Sequence, residues 1–140
     1  MAGKVFIDAN VFIYAQDNGS PTKQRRSREV IRELIEAGEG VTSTQVLQEF
    51  YVAATRKLGV EPMAADAVLK TFGVFEIVQV TPALIHDAVG CSILNGINFW
   101  DALVIAAAAA AGCSTILTED LNPGQNILGV KVQNPFLAEP

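Results

Sequence analysis

The chain has 140 residues, half of them apolar, which is enough to bury one sizeable core and not two, so residues 1–140 are read as a single domain. A net charge of −5 argues against a protein that grips nucleic acid through a broad basic surface, because non-specific affinity scales with the phosphates neutralised. Formal charge counts side chains alone, and a divalent ion held by acids reverses the local field, so the sign excludes the basic surface and not a nucleic-acid role.

Met1-Ala2-Gly3-Lys4 runs straight into an apolar stretch with neither the length nor the cleavage site of a secretory signal, and a cytoplasmic protein is expected. Val5–Ile7 is a short apolar run that ends in an acid, Asp8, and reads as a strand. Ser20-Pro21 puts a proline at a first helical position behind a capping residue. In that helix Arg25, Arg28 and Arg32 recur at spacings of three and four, a basic stripe suited to phosphate groups or, alternatively, a solvated face laced by Arg25 with Glu29 and Arg32 with Glu36. Gly38 is a plausible helix stop. Gly40–Ser43 is the next strand candidate, and over 44–58 Val46, Leu47, Phe50, Tyr51, Ala54 and Leu58 form one apolar helix face with Glu49 on its flank and Gly59 as its stop.

Glu61-Pro62 and Thr81-Pro82 open two more helices on either side of a strand expected at 75–80. His86, in the second of these, reads as a partly exposed helix residue rather than a ligand or base. A helix over 98–111 carries Asp101 in its first turn and then, through residues 102–112, no charge and no side-chain hydrogen-bonding group, so it must be central. The apolar run 102–113 is too short for a membrane span, which needs roughly 20 residues, and Gly112 fits as its stop. Cys91 and Cys113 read as buried thiols rather than a disulfide. Thr115–Leu117 and 130–132 complete the strands. Near-continuously apolar strands separated by helices predict an α/β domain of three layers, α/β/α, around a central, mostly parallel sheet.

In such sheets ligands sit beyond the carboxyl ends of the strands, and Asp8 and Asp120 both follow strands that reach one rim if those strands are parallel. Each acid has a bland explanation: Asp8 as a strand-end turn residue, Glu49 as a solvated flank, Asp101 as a charge at a positive helix end, and Asp120 in an Asx-turn through Asp120-Leu121-Asn122-Pro123-Gly124. Jointly, four acids at one rim with no basic neighbour beside Asp8, Asp101 or Asp120 in sequence share one explanation, a bound cation, because an unpaired buried charge costs on the order of several kcal/mol. Oxygen-only ligation selects Mg²⁺, Mn²⁺ or Ca²⁺ over zinc, and one histidine with two separated cysteines leaves no zinc-site spacing. No nucleophile elbow and no phosphate-cradling glycine loop is present in the sequence.

Four segments in order resemble the PIN domains, and among them the VapC-type toxins of toxin–antitoxin pairs. They are Phe6-Ile7-Asp8-Ala9-Asn10-Val11-Phe12-Ile13-Tyr14-Ala15, Ser43-Thr44-Gln45-Val46-Leu47-Gln48-Glu49-Phe50-Tyr51, Phe99-Trp100-Asp101-Ala102-Leu103-Val104 and Ile116-Leu117-Thr118-Glu119-Asp120-Leu121. Gly129-Val130-Lys131-Val132 and Asn134-Pro135-Phe136 are similar to the ending of one subgroup. The resemblance implies a metal-dependent endoribonuclease in which Asp8, Glu49, Asp101 and Asp120 are the catalytic, metal-binding acids. They would hold one or two Mg²⁺ or Mn²⁺ ions, with Asn10 and Thr118 orienting them by hydrogen bonds. It implies an RNA substrate, a homodimer and a cognate antitoxin protein. Two other classes remain as expectations to be tested: a non-catalytic binding module in which the acids only stabilise helix ends, and an aspartyl phosphotransferase or phosphatase using Asp8, which lacks the second acid two residues on.

Overall fold

A computed structural model describes residues 3–137; Met1 and Ala2, which open the N-terminal run discussed above, lie outside the described residues. The elements follow in the order β1 Val5–Ile7, α1 Ala9–Ala15, α2 Pro21–Ala37, β2 Gly40–Ser43, α3 Thr44–Arg56, α4 Pro62–Thr71, β3 Glu76–Val78, α5 Pro82–Asn95, α6 Phe99–Ala110, β4 Thr115–Leu117, β5 Asn126–Ile127 and β6 Val130–Gln133. The sheet order is β3-β2-β1-β4-β6-β5, parallel throughout except for the β5–β6 edge hairpin.

That order explains the layers. The chain steps outward from β1 to β2 to β3, then returns across the sheet to β4. With right-handed crossovers, α1 to α4 cover one face and α5 and α6 the other. The direction of winding reverses between β1 and β4, which is where an open parallel sheet leaves a crevice beyond its strand ends.

β1 is fully buried, and from Ala102 to Ala108 every residue of α6 is buried, as an all-apolar helix requires. Phe12 of α1, Phe50 of α3, Phe72 and Phe75 pack as one aromatic cluster, with the Phe12 and Phe72 rings 4.3 Å apart. This cluster locks α1 against α3, so the residues at the start of α1 and on the flank of Phe50 have fixed positions.

Several boundaries differ from the sequence reading for local reasons. The 75–80 strand shrinks to Glu76–Val78: Phe75 closes a 3-10 turn by donating its N–H to Phe72, and the Val80 N–H bonds Thr44 Oγ1 at 3.1 Å instead of a strand partner. Helix α3 stops at Arg56 rather than Leu58, because Lys57 and Leu58 both donate to the Ala53 carbonyl and Gly59 turns the chain in the left-handed region at φ 67°. Strand β5 is an addition. It pairs with β6 through the two-residue turn Leu128-Gly129, both at positive φ. Gly40 allows a close approach that no other residue would, since a Cβ there would meet the Phe75 ring at 2.5 Å.

Among the described residues no single helix is long and apolar enough to cross a membrane. Cys91 and Cys113 are buried free thiols, and His86 is exposed.

Candidate active site

The parallel register sets Ile7 beside Leu117, so the residues that follow, Asp8 and Thr118, are neighbours at the carboxyl edge of β1 and β4. Asp8 leaves the ladder with its own N–H still bonded to the Leu117 carbonyl at 3.1 Å. It then caps α1: Oδ1 accepts the Ala9 N–H at 2.7 Å, and Oδ2 accepts the Thr118 hydroxyl at 2.8 Å. The carboxyl is buried, at 6% exposure.

Thr118, wholly buried, is the hub of the site. Its Oγ1 donates to Asp8 and accepts both the Asn10 Nδ2 at 3.0 Å and the Asp120 N–H at 3.1 Å. Asn10 Nδ2 also lies 3.2 Å from Asp120 Oδ2, and the Asn10 Oδ1 accepts the Glu119 N–H. One hydroxyl and one carboxamide therefore fix the relative placement of Asp8 and Asp120, which are 112 positions apart in the chain.

Asp101 is held by a reciprocal cap. Asn98 Oδ1 accepts the Asp101 N–H at 2.9 Å, and Asn98 Nδ2 donates to Asp101 Oδ2 at 2.7 Å. Glu49 projects from the exposed flank of α3 beside the buried Phe50. All four acids line one cavity of about 840 Å³ between α1, α3, α6 and the β4 edge, with Asn10, Gln45, Trp100 and Glu119 among its other walls.

Gathering the acids has an electrostatic cost that appears in three of them. Burial pushes the Asp8 carboxyl up to about 7, partly opposed by its bonds from Thr118 and Ala9 and reinforced by the charges of Glu49 and Asp120. Burial also raises Glu49, with Asp120 and Asp101 adding to it against a hydrogen bond from Gln45. Asp101 is raised by burial and by Asp120, against its bond from Asn98. Among the described residues none of the four is in an ion pair.

The donor set fits a hard divalent cation, since it consists of carboxylate oxygens with a carboxamide and a hydroxyl behind them. Gln45 adds a buried Oε1 in the cavity wall with no hydrogen-bond partner among the described residues. As the side chains stand, no three acidic, histidine or cysteine groups among the described residues converge closely enough to hold an ion. The four acids share one cavity, and like charges across it help to raise the carboxyls of Asp8, Glu49 and Asp101.

Glu119, next to Asp120 in the same cavity wall, is already partnered. It forms an ion pair with Lys23 at 2.9 Å and accepts the Tyr14 hydroxyl at 2.8 Å, while Lys23 stacks over the Tyr14 ring. Neutralised there, it leaves Asp120 as the free acid of the pair. The arginine stripe on α2 lies elsewhere. Arg25, Arg28 and Arg32 are exposed, Arg28 Nε bonds the Ala15 carbonyl, and Arg28 and Arg32 line a separate cavity. Among the described residues the ion pair within that helix is Arg26–Glu29, and neither Arg25–Glu29 nor Arg32–Glu36 forms one. The basic residues that do line the acidic cavity are Arg56 and Lys57, which the sequence reading missed. The signal was helical phase: Arg56 stands seven residues after Glu49, two turns along the same face.

A family model described as PIN domain matches residues 5–124. Among solved structures, the chain is similar to DNA-bound VapBC from Salmonella typhimurium, at 19% identity over 95% of this chain and 98% of that one with a TM-score of 0.69. It is also similar to a toxin–antitoxin complex from Klebsiella pneumoniae, at 16% identity over 91% and 95% with a TM-score of 0.67. A third likeness is to the Sarcin-Ricin loop cleaving toxin VapC20 of Mycobacterium tuberculosis, at 21% identity over 81% and 87% with a TM-score of 0.61. At these identities the likeness is one of fold. No curated protein matches the chain by sequence.

Proposed function

The chain belongs to the PIN domain family, and from that premise we propose that it is a Mg²⁺- or Mn²⁺-dependent endoribonuclease, the toxin of a VapBC-type toxin–antitoxin pair. The observation that carries the reading is the meeting of Asp8, Glu49, Asp101 and Asp120, from four separate stretches of chain, around one cavity at the winding reversal of a parallel sheet.

In this reading Asp8 and Asp101 would hold one ion, and Glu49 and Asp120 would hold a second or act through water. A divalent ion held there would supply acidification of a water nucleophile and charge neutralisation at the phosphodiester. The protein's own groups do the rest. Thr118 Oγ1 holds the Asp8 carboxylate in one rotamer, and Asn10 spans Thr118 and Asp120 so that both acids keep one separation. Glu49, whose carboxyl burial makes more basic than usual, accepts the proton released by the nucleophile, a task also open to Asp120.

The same reading assigns the protein an RNA substrate, a cytoplasmic location, a homodimer and an antitoxin that closes the acidic cavity with an arginine or other basic group. The stripe Arg25, Arg28 and Arg32 is retained as a second, peripheral RNA contact. The purified protein is expected to cleave RNA with Mg²⁺ or Mn²⁺ and to stop when the ion is chelated. Cleavage that persists in excess chelator would contradict the reading.

A further inference from the structure

The cavity that holds the acids does not end at them. Along α3 its wall continues from Glu49 through Val52 to Arg56, then to Lys57 and Leu58, and opposite them α6 contributes Trp100 and Val104. The rise of a helix puts Arg56 roughly 10 Å from Glu49 along the axis on the same face. The wall therefore passes from four carboxylates, across an apolar stretch, to two cations.

Those two cations line the acidic cavity with no acid paired to them. Lys4, Lys23, Arg26 and Lys70 are each in an ion pair, whereas Arg56 and Lys57, like Arg25, Arg32 and Lys131 elsewhere on the surface, are exposed and their side chains make no hydrogen bond or ion pair among the described residues. The apolar stretch is open to solvent. Trp100, the only tryptophan of the chain, is 64% exposed at the cavity, and Val52, in the same lining, is 50% exposed. The indole stands edge to face against Phe99 at 5.2 Å, and the Trp100 carbonyl accepts the Gln45 Nε2 at 3.3 Å. A large, anchored aromatic is thus left in solvent on the residue directly before Asp101.

We propose that Trp100 is the platform on which an unpaired base of the RNA stacks beside the cleaved bond, and that Arg56 and Lys57 hold a neighbouring phosphate. The assignment rests on the nuclease reading of the acids and adds to it the residues that seat the substrate beside them. An acid cluster alone repels a polyanion, and a chain of net charge −5 has no general attraction for one. Two unpaired cations beyond the acids supply local attraction. Bases in a duplex are already stacked and cannot reach the indole, whereas unpaired bases stack on any aromatic face with little regard to sequence.

The single tryptophan makes the test direct. In protein carrying Asp8→Asn, inactive on the reading above, indole fluorescence should be quenched on titration with a single-stranded oligoribonucleotide and not with the same sequence as a duplex. In that background, Arg56→Gln with Lys57→Gln should raise Kd about 10-fold and reduce the slope of log affinity against log salt by about 0.7 for each phosphate no longer neutralised. Trp100→Ala should raise Kd about 10-fold, and Trp100→Phe should recover most of the loss.

Absent quenching, equal quenching by the duplex, or unchanged affinity and salt slope in the Arg56/Lys57 variant would overturn the proposal. So would a Trp100→Ala protein that changes its oligomeric state in sedimentation without changing its RNA affinity, because the indole would then belong to an interface between copies. If the parent protein cleaves RNA while these results fail, the subsite is wrong and the nuclease reading stands. If they succeed while the parent never cleaves RNA, the subsite stands and the nuclease reading is wrong.

Discussion

Replacing Asp101 by asparagine is expected to lower RNA cleavage by on the order of 10³-fold, the scale of losing a group that stabilises developing charge, while leaving the metal-free protein as stable as the parent or more so. The substitution is nearly isosteric, and its Oδ1 can still accept the Asn98 Nδ2 that now bonds Asp101 at 2.7 Å. What it removes is a carboxylate raised by burial and by the charge of Asp120. Two like charges 4 Å apart cost about 1 to 4 kcal/mol at effective dielectrics of 80 to 20, and screening reduces this further. Loss of a favourable charge at the start of α6 offsets about 0.3 to 1 kcal/mol of the gain. The net should be about 0 to 1.5 kcal/mol towards stability in chelator.

On the proposed function, metal is expected to reverse the order. An ion that binds only the folded parent stabilises it by about 2.7 kcal/mol at a concentration 100 times Kd. Thermal melts of parent and variant, each with chelator and with millimolar Mn²⁺, separate a metal ligand from a helix-end charge. If Asp101 only favours a helix end, the variant is slightly destabilised in both buffers and Mn²⁺ moves neither melting temperature.

The second large effect is in pH. The folded Asp8 carboxyl lies at about 7 against an ordinary value of 3.8, with burial as the main cause, so the folded state holds this proton more tightly than the unfolded chain does. The stability it contributes is fully present below about pH 4 and is lost as pH rises through about 7. Near three pKa steps of about 1.4 kcal/mol each set an upper bound, and a fall of about 2 to 4 kcal/mol between pH 4 and pH 8.5 is expected in metal-free protein. Glu49 and Asp101 are raised as well and add in the same direction. Subtracting the urea-unfolding profile of Asp8→Asn from that of the parent, both in chelator, isolates the Asp8 share. Parallel profiles would mean that Asp8 is ionised and compensated in the folded protein without a cation.

Much of this site is legible in the sequence, and for identifiable reasons. Asp8 and Asp120 each follow an apolar run bounded by turn residues, and parallel pairing of β1 with β4 then brings them to one rim. Asp101 stands out because the helix beyond it has no polar side chain, and that helix is buried from Ala102 to Ala108. The hairpin of β5 and β6 is hidden because its turn places Leu128 at φ 53°, where asparagine, aspartate or glycine is the usual signal. Phe75 looks like the start of a strand because an aromatic packing into the core from a 3-10 turn has the same local composition. The neutralisation of Glu119 by Lys23 spans 96 positions and leaves no local trace. Arg56 and Lys57 become visible only once α3 is seen to turn its Glu49 face to a cavity.

Whether these four acids form the divalent-cation site of a nuclease is decided by anomalous diffraction from crystals soaked in Mn²⁺. A peak is expected within about 2.5 Å of carboxylate oxygens of Asp8 and Asp101, with Glu49 and Asp120 facing it directly or through water, and no such peak in Asp8→Asn crystals. Crystals of a protein that cleaves RNA, with no manganese at this cluster or with manganese held elsewhere, would contradict it.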